Sequence, residues 1–303
     1  MNPIHDLCGI ITVLNTPFNG DNSLDLPGLA TNVEQAITAG VAGFLVPAMA
    51  SEVGTLSEAE RFAIVKTTVD TAAGRVPIIG GASAMDQATR MEAANTLLDL
   101  GCDGILVSIP WENDAAYTSH VEALAALEPG FIMLQDWDAT GYGLSIPLIV
   151  RLFETIPAFK CLKVEVVPAG PKYTEVLQAT GGKLHVSGGW AVSQMIEGLD
   201  RGVHAFMPTG MHLLYTTIYR LYTEGNREAA KTLFERLLPI LAFSNQHLDI
   251  SIHFFKRLLH AQGIYATDRV RSPKIPFDPI HQKSADSLIE RIVALEAEFG
   301  GTP

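Results

Sequence analysis

Two ionisable side chains, Lys163 and Glu165, lie two positions apart late in a mainly apolar segment that begins with Phe159 and Lys160. The segment predicts a β-strand over Phe159–Val164, and alternation along a strand places both side chains on one face. A buried ammonium without a partner costs several kcal/mol, roughly, or becomes neutral. A neutral, desolvated lysine is a nucleophile that condenses with a ketone to a Schiff base. A carboxyl group nearby can then transfer protons.

The same spacing is compatible with a purely structural role. A Lys163–Glu165 ion pair could fill the end of a barrel, because an anionic carboxylate would keep the amine charged and oppose nucleophilic attack. The spacing of the two residues alone does not separate these interpretations.

Eight short apolar segments alternate with longer amphipathic ones. The predicted strands are Gly9–Leu14, Gly43–Pro47, Val76–Ile79, Gly104–Ser108, Phe131–Leu134, Phe159–Val164, Leu184–Val186 and His204–Met207. The predicted helices are Leu26–Ala39, Ser57–Ala73, Ala84–Leu100, Ala115–Leu127, Ile146–Glu154, Lys172–Ala179, Val192–Arg201 and Leu213–Tyr222. Such alternation favours an α/β fold, a (β/α)8 TIM barrel, over residues 1–225. An open doubly wound sheet is the alternative, but no Gly-x-Gly-x-x-Gly turn follows the first strand.

Residues 226–303 predict a C-terminal helical extension, with helices over 227–263 and Ser284–Phe299. In the barrel, Lys163 and Glu165 would then lie at the carboxyl end of the sixth strand. Active sites of such barrels are found at that end.

Composition limits the partners. The 303 residues are 48% hydrophobic and carry a formal net charge of -12, which argues against nucleic acid and anionic membranes as partners. No signal peptide and no apolar run of about 18 residues is visible, so a cytoplasmic location is expected. The three cysteines have no metal-site spacing and are expected to be reduced and buried.

Motifs along nearly the whole chain resemble the dihydrodipicolinate synthase / N-acetylneuraminate lyase family of class I aldolases. They are Thr16-Pro17-Phe18, Glu52 with Thr55–Arg61, Ile78–Gly81, Gly101–Val107 with Pro110, Lys163, Ser187-Gly188-Gly189, and Gly263 through Arg271-Ser272-Pro273. The resemblance implies a TIM barrel with a helical extension and a homo-oligomer, a dimer or tetramer. It also implies an imine between Lys163 and pyruvate or another 2-oxo acid, with no separate cofactor and no metal.

The chain departs from the family pattern around that lysine. The usual Gly-Thr-Thr-Gly-Glu loop is replaced by Ala48-Met49-Ala50-Ser51-Glu52, and the paired aromatics after the fourth strand become Trp111-Glu112. The family's proton-relaying tyrosine falls on Gln135, and its following asparagine on Asp136. Glutamine cannot ionise. We therefore expect a Schiff-base aldolase or dehydratase for a sugar-derived 2-oxo acid, not a dihydrodipicolinate synthase.

The predicted catalytic residues are Lys163, Glu165, Gln135 and Asp136. The predicted substrate-binding residues are Thr16, Ser51, Glu52, Trp111, Glu112, Tyr142, Ser187, Gly188 and Gly189. Tyr142 lies between glycines and could supply a phenol, or it could be an exposed loop residue. The Ser187–Gly189 turn could offer backbone N–H groups to the substrate carboxylate.

Two other functions stay open. The missing tyrosine and threonines are compatible with a non-catalytic small-molecule-binding barrel. A metal-dependent lyase is conceivable because Glu112, Asp136, Asp138, Glu165 and His212 could converge at the barrel mouth, although no motif supports it.

Overall fold

The computed structural model describes residues 7–300, except the side chains of Trp190 and Ala191. Its strands are β1 Gly9–Val13, β2 Gly43–Val46, β3 Ile78–Gly81, β4 Gly104–Val107, β5 Ile132–Asp138, β6 Phe159–Val166, β7 His185–Gly188 and β8 Ala205–Phe206. They form a closed barrel in sequence order, and the registers of β3 to β8 are parallel. The predicted (β/α)8 barrel with C-terminal helices is therefore confirmed.

The helices alternate with the strands up to α8. They are α1 Leu26–Thr38, α2 Glu58–Ala72, α3 Gln87–Asp99, α4 Asp114–Ala125, α5 Ile146–Thr155, α6 Ala169–Ala179, α7 Met195–Asp200, α8 His212–Thr223, α9 Arg227–Ser244, α10 Leu248–Ala261 and α11 Pro279–Ala297. The last three form the C-terminal part. The predicted boundary at residue 225 stays a prediction.

Capping side chains set several helix starts. Ser57 and Glu60 form the capping box expected before α2, each side chain bonding the other residue's backbone N–H. The third helix begins at Gln87, later than the predicted start at Ala84, because the Asp86 side chain caps it by accepting the Thr89 N–H. The last helix starts earlier than predicted, because Asp278 accepts hydrogen bonds from the N–H groups of Ile280 and His281.

Strands β5 and β6 are longer than their apolar cores predict. We expected them to end at Leu134 and Val164, but they continue to Asp138 and Val166. Their polar ends pair with each other, from Gln135 opposite Lys163 to Asp138 opposite Val166. Pairing with a neighbouring strand outweighs the low strand propensity of such residues. The candidate residues of this region therefore lie on strands.

The chain divides into two compact units. The first contains the described residues up to Ile11 together with Pro77–Pro208, and therefore β3 to β8 with α3 to α7. The second contains Thr12–Val76 and the described residues from Thr209 onward, with β2, α1, α2 and α8 to α11. Each unit has buried apolar side chains on its strands and helices, such as Ile132 and Leu162 in the first and Phe44 and Leu258 in the second.

Candidate active site

Three neighbouring strands of the first unit place a row of polar side chains on one face. In the parallel register, Gln135 of β5 lies opposite Lys163 of β6, and Lys163 lies opposite Ser187 of β7. Residues in register share a face of a sheet, and Glu165, two positions beyond Lys163, shares it as well. The sheet thus brings together predicted site residues from β5, β6 and β7 at the carboxyl ends of these strands.

Lys163, Glu165 and Gln135 form what we call the lysine–carboxylate group. The Lys163 Nζ lies 3.2 Å from Glu165 Oε1, and the two side chains are only 8% and 10% exposed. The Gln135 Nε2 donates a short hydrogen bond to Glu165 Oε2. Each oxygen of the Glu165 carboxylate therefore faces a donor, which fixes it beside the amine.

The glycine turn after β7 makes room for this carboxylate. Glu165 packs directly against the backbone of Gly189, where a Cβ atom would lie 2.6 Å from its Cγ. Ser187 is fully buried, and its Oγ lies 3.6 Å from Met207 Sδ. At Gly188 a Cβ would lie 2.7 Å from the hydroxyl of Tyr173. The turn therefore packs around Glu165 on one side and Tyr173 on the other.

Asp136 has a different environment from its neighbour Gln135. Its carboxylate is 1% exposed, lies 3.2 Å from the Nζ of Lys172 in α6, and accepts the Leu144 N–H at 2.8 Å. Burial raises the pKa of Asp136, and the Lys172 charge acts in the opposite direction. Alternation along β5 turns this side chain to the face opposite Gln135, so the structure does not bring Asp136 to the lysine–carboxylate group.

A cavity of about 750 Å3 opens beside Gln135 in the first unit. It is lined by residues 83–85, 108–111, 135–138 and 143–145, together with Asp114 and Tyr117. Lys163 and Glu165 are not among the lining residues, so Gln135 is the member of the lysine–carboxylate group that reaches the cavity. Its size lies in the range of small-molecule sites.

Two of the predicted binding residues after β4 are exposed. Trp111 lines the cavity, is 60% exposed, and donates from Nε1 to Asp114 Oδ1 at 3.2 Å. Glu112 is also exposed and does not belong to the cavity lining.

Tyr142 lies 38% exposed on the loop between β5 and α5. The Lys172 Nζ lies 4.8 Å from the centre of its ring and donates to its backbone carbonyl at 2.7 Å. Its phenol pKa is raised by burial and by Glu175. Tyr142 is therefore in contact with α6, and its phenol is not placed in the lysine–carboxylate group.

Thr16, Ser51 and Glu52 belong to the second unit, where each has a partner inside the protein. Thr16 Oγ1 donates to Ser51 O at 2.7 Å, and Ser51 Oγ donates to Leu14 O and accepts from Ala48 N. All three side chains are buried. The hydroxyl groups thus hold the chain after β1 and β2 in place.

Glu52 forms a buried ion pair. Its Oε1 accepts a short hydrogen bond from Lys256 Nζ, and its Oε2 accepts the Arg271 N–H at 2.7 Å. Burial raises the pKa of Glu52 and lowers that of Lys256 to about 8. Both carboxylate oxygens have partners within the protein, and the contact of Glu52 with substrate stays a prediction.

His212 also has structural partners in the second unit. Its Nδ1 lies 3.2 Å from Thr12 Oγ1 and its Nε2 lies 3.0 Å from Asn32 Oδ1, and burial lowers its pKa to about 4. Within residues 7–300, the structure contains no group of three or more His, Cys, Asp or Glu side chains arranged to hold a metal ion. The same residues include no helix with the length and apolarity of a membrane span.

The sequence did not indicate Lys172 as a residue of structural or functional importance. In Gly170-Pro171-Lys172-Tyr173 it resembles a solvated helix residue, yet it is fully buried. A signal was present, because Lys172 lies on the helical stripe of Ala169 and Val176, three and four positions away, both buried.

The fold and this group define a class of protein: a (β/α)8 barrel lyase of the class I aldolase type, with a lysine beside a carboxylate at the carboxyl end of a strand. The chain belongs to the dihydrodipicolinate synthetase family, whose pattern it matches over residues 6–292. Schiff-base chemistry on pyruvate is the general activity of that family.

Individual relatives differ in name. A 4-hydroxy-tetrahydrodipicolinate synthase of Methanosphaerula palustris is 25% identical over 93% of this chain and 97% of its own length. An L-2-keto-3-deoxyarabonate dehydratase of Azospirillum brasilense is 26% identical over 89% of this chain and 90% of its own. The crystal structure of the Rhodopseudomonas palustris dihydrodipicolinate synthase superposes with a TM-score of 0.86 at 21% identity, covering 94% of this chain and 98% of that one. This last likeness supports the fold alone.

Proposed function

We propose that this protein is an aldolase or dehydratase that binds a 2-oxo acid derived from a sugar acid as an imine on Lys163. The observation that carries the proposal is the 3.2 Å contact between Lys163 Nζ and Glu165 Oε1. Membership of a family of Schiff-base lyases supports it. The amine and its proton acceptor are then already in reach of each other.

The first step forms the imine. Lys163 passes a proton to Glu165, and its Nζ attacks the C2 carbonyl carbon of the substrate. The resulting carbinolamine loses its hydroxyl group as water, leaving a C=N bond to Nζ. The protonated imine withdraws electrons from C3, so a C3–H or C3–C4 bond can break with the electron pair stored in an enamine.

Glu165 is the proposed base in the second step. In dehydration it accepts the C3 proton, the enamine forms, and the C4–O bond then breaks with its oxygen leaving as water after protonation. In aldol cleavage the base removes the C4 hydroxyl proton while the C3–C4 bond breaks, releasing an aldehyde. After aldol cleavage, Glu165 returns its proton to C3 of the enamine, which becomes an imine again. Hydrolysis of the imine then frees Lys163 in both cases.

Gln135 is proposed to orient Glu165 and to contact the substrate where it enters the cavity. The amide does not ionise and so does not relay a proton, which separates this site from that of a dihydrodipicolinate synthase using a tyrosine. The Gly189 N–H donates to Val164 O at 3.4 Å, so the N–H groups of Ser187 and Gly188 are proposed for the substrate carboxylate. Asp136 has no part in these steps, because its carboxylate faces Lys172. The dehydratase relative makes a 2-keto-3-deoxy sugar acid our first substrate to test.

Borohydride trapping tests the imine. We expect wild-type protein incubated with pyruvate or 2-keto-3-deoxyarabonate and borohydride to gain the mass of one reduced adduct, located on Lys163 by peptide mapping. Lys163→Ala should give none. Lys160→Met is the matched control, because Lys160 contacts only the Gly130 carbonyl among the hydrogen bonds found for its side chain and should leave the adduct intact. A folded wild-type protein without adduct across both ligands would refute the proposal.

A non-catalytic binding protein is the second candidate. It is favoured by the same 3.2 Å contact, which also describes a settled ion pair. Calorimetric titration distinguishes the two: binding of the sugar acid with no adduct, in both wild-type and Lys163→Ala protein, would support the binder.

A further inference from the structure

The loop between β5 and α5, residues 139–145, forms one wall of the cavity through Gly143, Leu144 and Ser145. Its outer part is held by Asp138, whose Oδ1 accepts the N–H groups of Thr140 at 3.0 Å and Gly141 at 2.8 Å. Asp138 is the last residue of β5, so these bonds, with the Gly143 N–H that its Oδ2 accepts at 3.2 Å, connect the loop to the end of that strand.

Lys172 fixes the loop from below. Its Nζ donates to the Tyr142 carbonyl at 2.7 Å, donates a short hydrogen bond to the Leu144 carbonyl, and lies 3.2 Å from Asp136 Oδ2. Two of the three ammonium protons are used in the two hydrogen bonds, and the contact with Asp136 Oδ2 is an ion pair. Two of the three acceptors are backbone atoms of the loop.

Asp136 completes the anchor from β5. Its Oδ1 accepts the Leu144 N–H at 2.8 Å, so both backbone polar groups of Leu144 are bonded to the Lys172–Asp136 pair. Gly143 has a φ of +67°, and a Cβ there would lie 2.7 Å from Asp136 Cγ. Only a glycine lets the loop come this close.

We infer that Lys172 and Asp136 together are positioning residues that hold the loop forming the wall of the cavity and thereby set the affinity for the sugar chain of the substrate. A full buried ion pair is a costly way to stabilise a helix, since apolar residues of similar volume often serve as well. Here the pair instead bonds three backbone groups of one cavity-lining loop. The inference rests on the proposed function for the identity of the ligand, but not for the loop anchor itself.

The test uses the full-length double variant Lys172→Met/Asp136→Asn. Methionine keeps the length of the stem, and asparagine keeps an acceptor for the Leu144 N–H without leaving a buried charge unpaired. Lys160→Met is the control, as another lysine of the same unit that bonds a backbone carbonyl. Amide hydrogen exchange is followed peptide by peptide, together with KM and kcat for 2-keto-3-deoxyarabonate and trapping of pyruvate.

We expect exchange in the peptide covering 139–145 to accelerate about tenfold or more while β6 and α3 stay protected. KM should rise about tenfold with kcat and the pyruvate adduct within about twofold of wild type, because pyruvate has no sugar chain. Unchanged exchange in the loop, or an unchanged KM, overturns the inference. Should wild-type protein show no adduct and no turnover, the proposed function fails, and the exchange result still decides on the anchor.

A second variant covers the case in which the double variant does not fold. Gly143→Ala leaves Lys172 and Asp136 in place but pushes the loop away from Asp136. It should reproduce the local rise in exchange and the rise in KM. Wild-type exchange and KM in folded Gly143→Ala protein would contradict the inference.

Discussion

The packing of Glu165 against Gly189 offers a way to move the proposed base without changing its chemistry. A Cβ at position 189 would lie 2.6 Å from Glu165 Cγ, whereas ordinary contacts begin near 3.4 Å. Its Oε1 and Cδ would lie closer still to the new Cβ, so in Gly189→Ala the side chain of Glu165 must retreat by more than the difference between these two distances, roughly 0.8 Å. The Lys163–Glu165 contact, now 3.2 Å, would lengthen towards 4 Å or break.

A displacement of this size should slow every C3 proton transfer, whereas trapping is measured as the final yield of adduct after long incubation, which a slower proton transfer from Lys163 to Glu165 leaves unchanged. Misplacing a catalytic group by about 1 Å can cost about 10²-fold in rate. The three atoms nearest to the new methyl group all belong to Glu165, and none belongs to Lys163. We therefore expect Gly189→Ala to be trapped by pyruvate and borohydride nearly as wild type, and to lose about 10²-fold in C3 proton transfer.

Exchange of the pyruvate methyl protons with deuterium from D2O, followed by NMR, measures that transfer directly and does not depend on knowing the natural substrate. Each cycle forms the imine, moves a C3 proton to the base and returns a deuteron. Gly20→Ala is the matched control, since a Cβ there meets nothing within 4 Å. Thermal unfolding checks that both variants fold. Wild-type exchange rates in folded Gly189→Ala protein would refute the assignment of Glu165 as base.

Two further predictions concern stability. Denaturant titrations of Lys256→Met should show a free energy of unfolding about 3–5 kcal/mol lower than that of wild type, because Glu52 is left with a buried, unpaired charge. Adding Glu52→Gln should restore much of the lost stability. Lys231→Met is the control and should change little, because Lys231 belongs to an exposed ion pair. Burial raises the pKa of Glu296 from 4.5 to about 7. Between pH 4.5 and about 7 the folded protein therefore binds one proton more than the unfolded chain. The contribution of Glu296 to the free energy of unfolding is complete below about pH 4.5 and is lost as the pH rises through 7. Glu296→Gln should gain about 1–2 kcal/mol over wild type between pH 5 and 8, and an equal slope for both proteins would contradict this.

The alternation of apolar and amphipathic segments was sufficient to predict the order of strands and helices, because each barrel strand is buried on both faces and so has a continuous apolar core. The ends of β5 and β6 were missed for the same reason. Gln135, Asp136 and Glu165 interrupt the apolar pattern, and only pairing between the two strands, in which Gln135 lies opposite Lys163, 28 positions further along the chain, makes them extended.

The partners of the buried charged side chains were harder to predict than the strands and helices on which these side chains lie. Two-residue spacing correctly placed Lys163 beside Glu165, since the strand repeat is local. The partners of Asp136 and Glu52 are Lys172 and Lys256, which lie 36 and 204 positions along the chain. No pattern within one segment contains such pairs. Both carboxylates therefore resembled site residues in the sequence, while the structure uses them inside the protein.

The proposed mechanism explains why Gln135 can stand where the family has a tyrosine. A phenol relays protons by itself, whereas an amide can only hold a neighbour in place. Gln135 donates to one oxygen of Glu165 and Lys163 faces the other, so the carboxylate is the one group here that can both receive and return a proton. Gln135→Ala should then loosen Glu165 and slow C3 exchange while sparing imine trapping, as Gly189→Ala does. A Gln135→Ala protein that exchanges at the wild-type rate would mean that Glu165 is fixed by Lys163 alone.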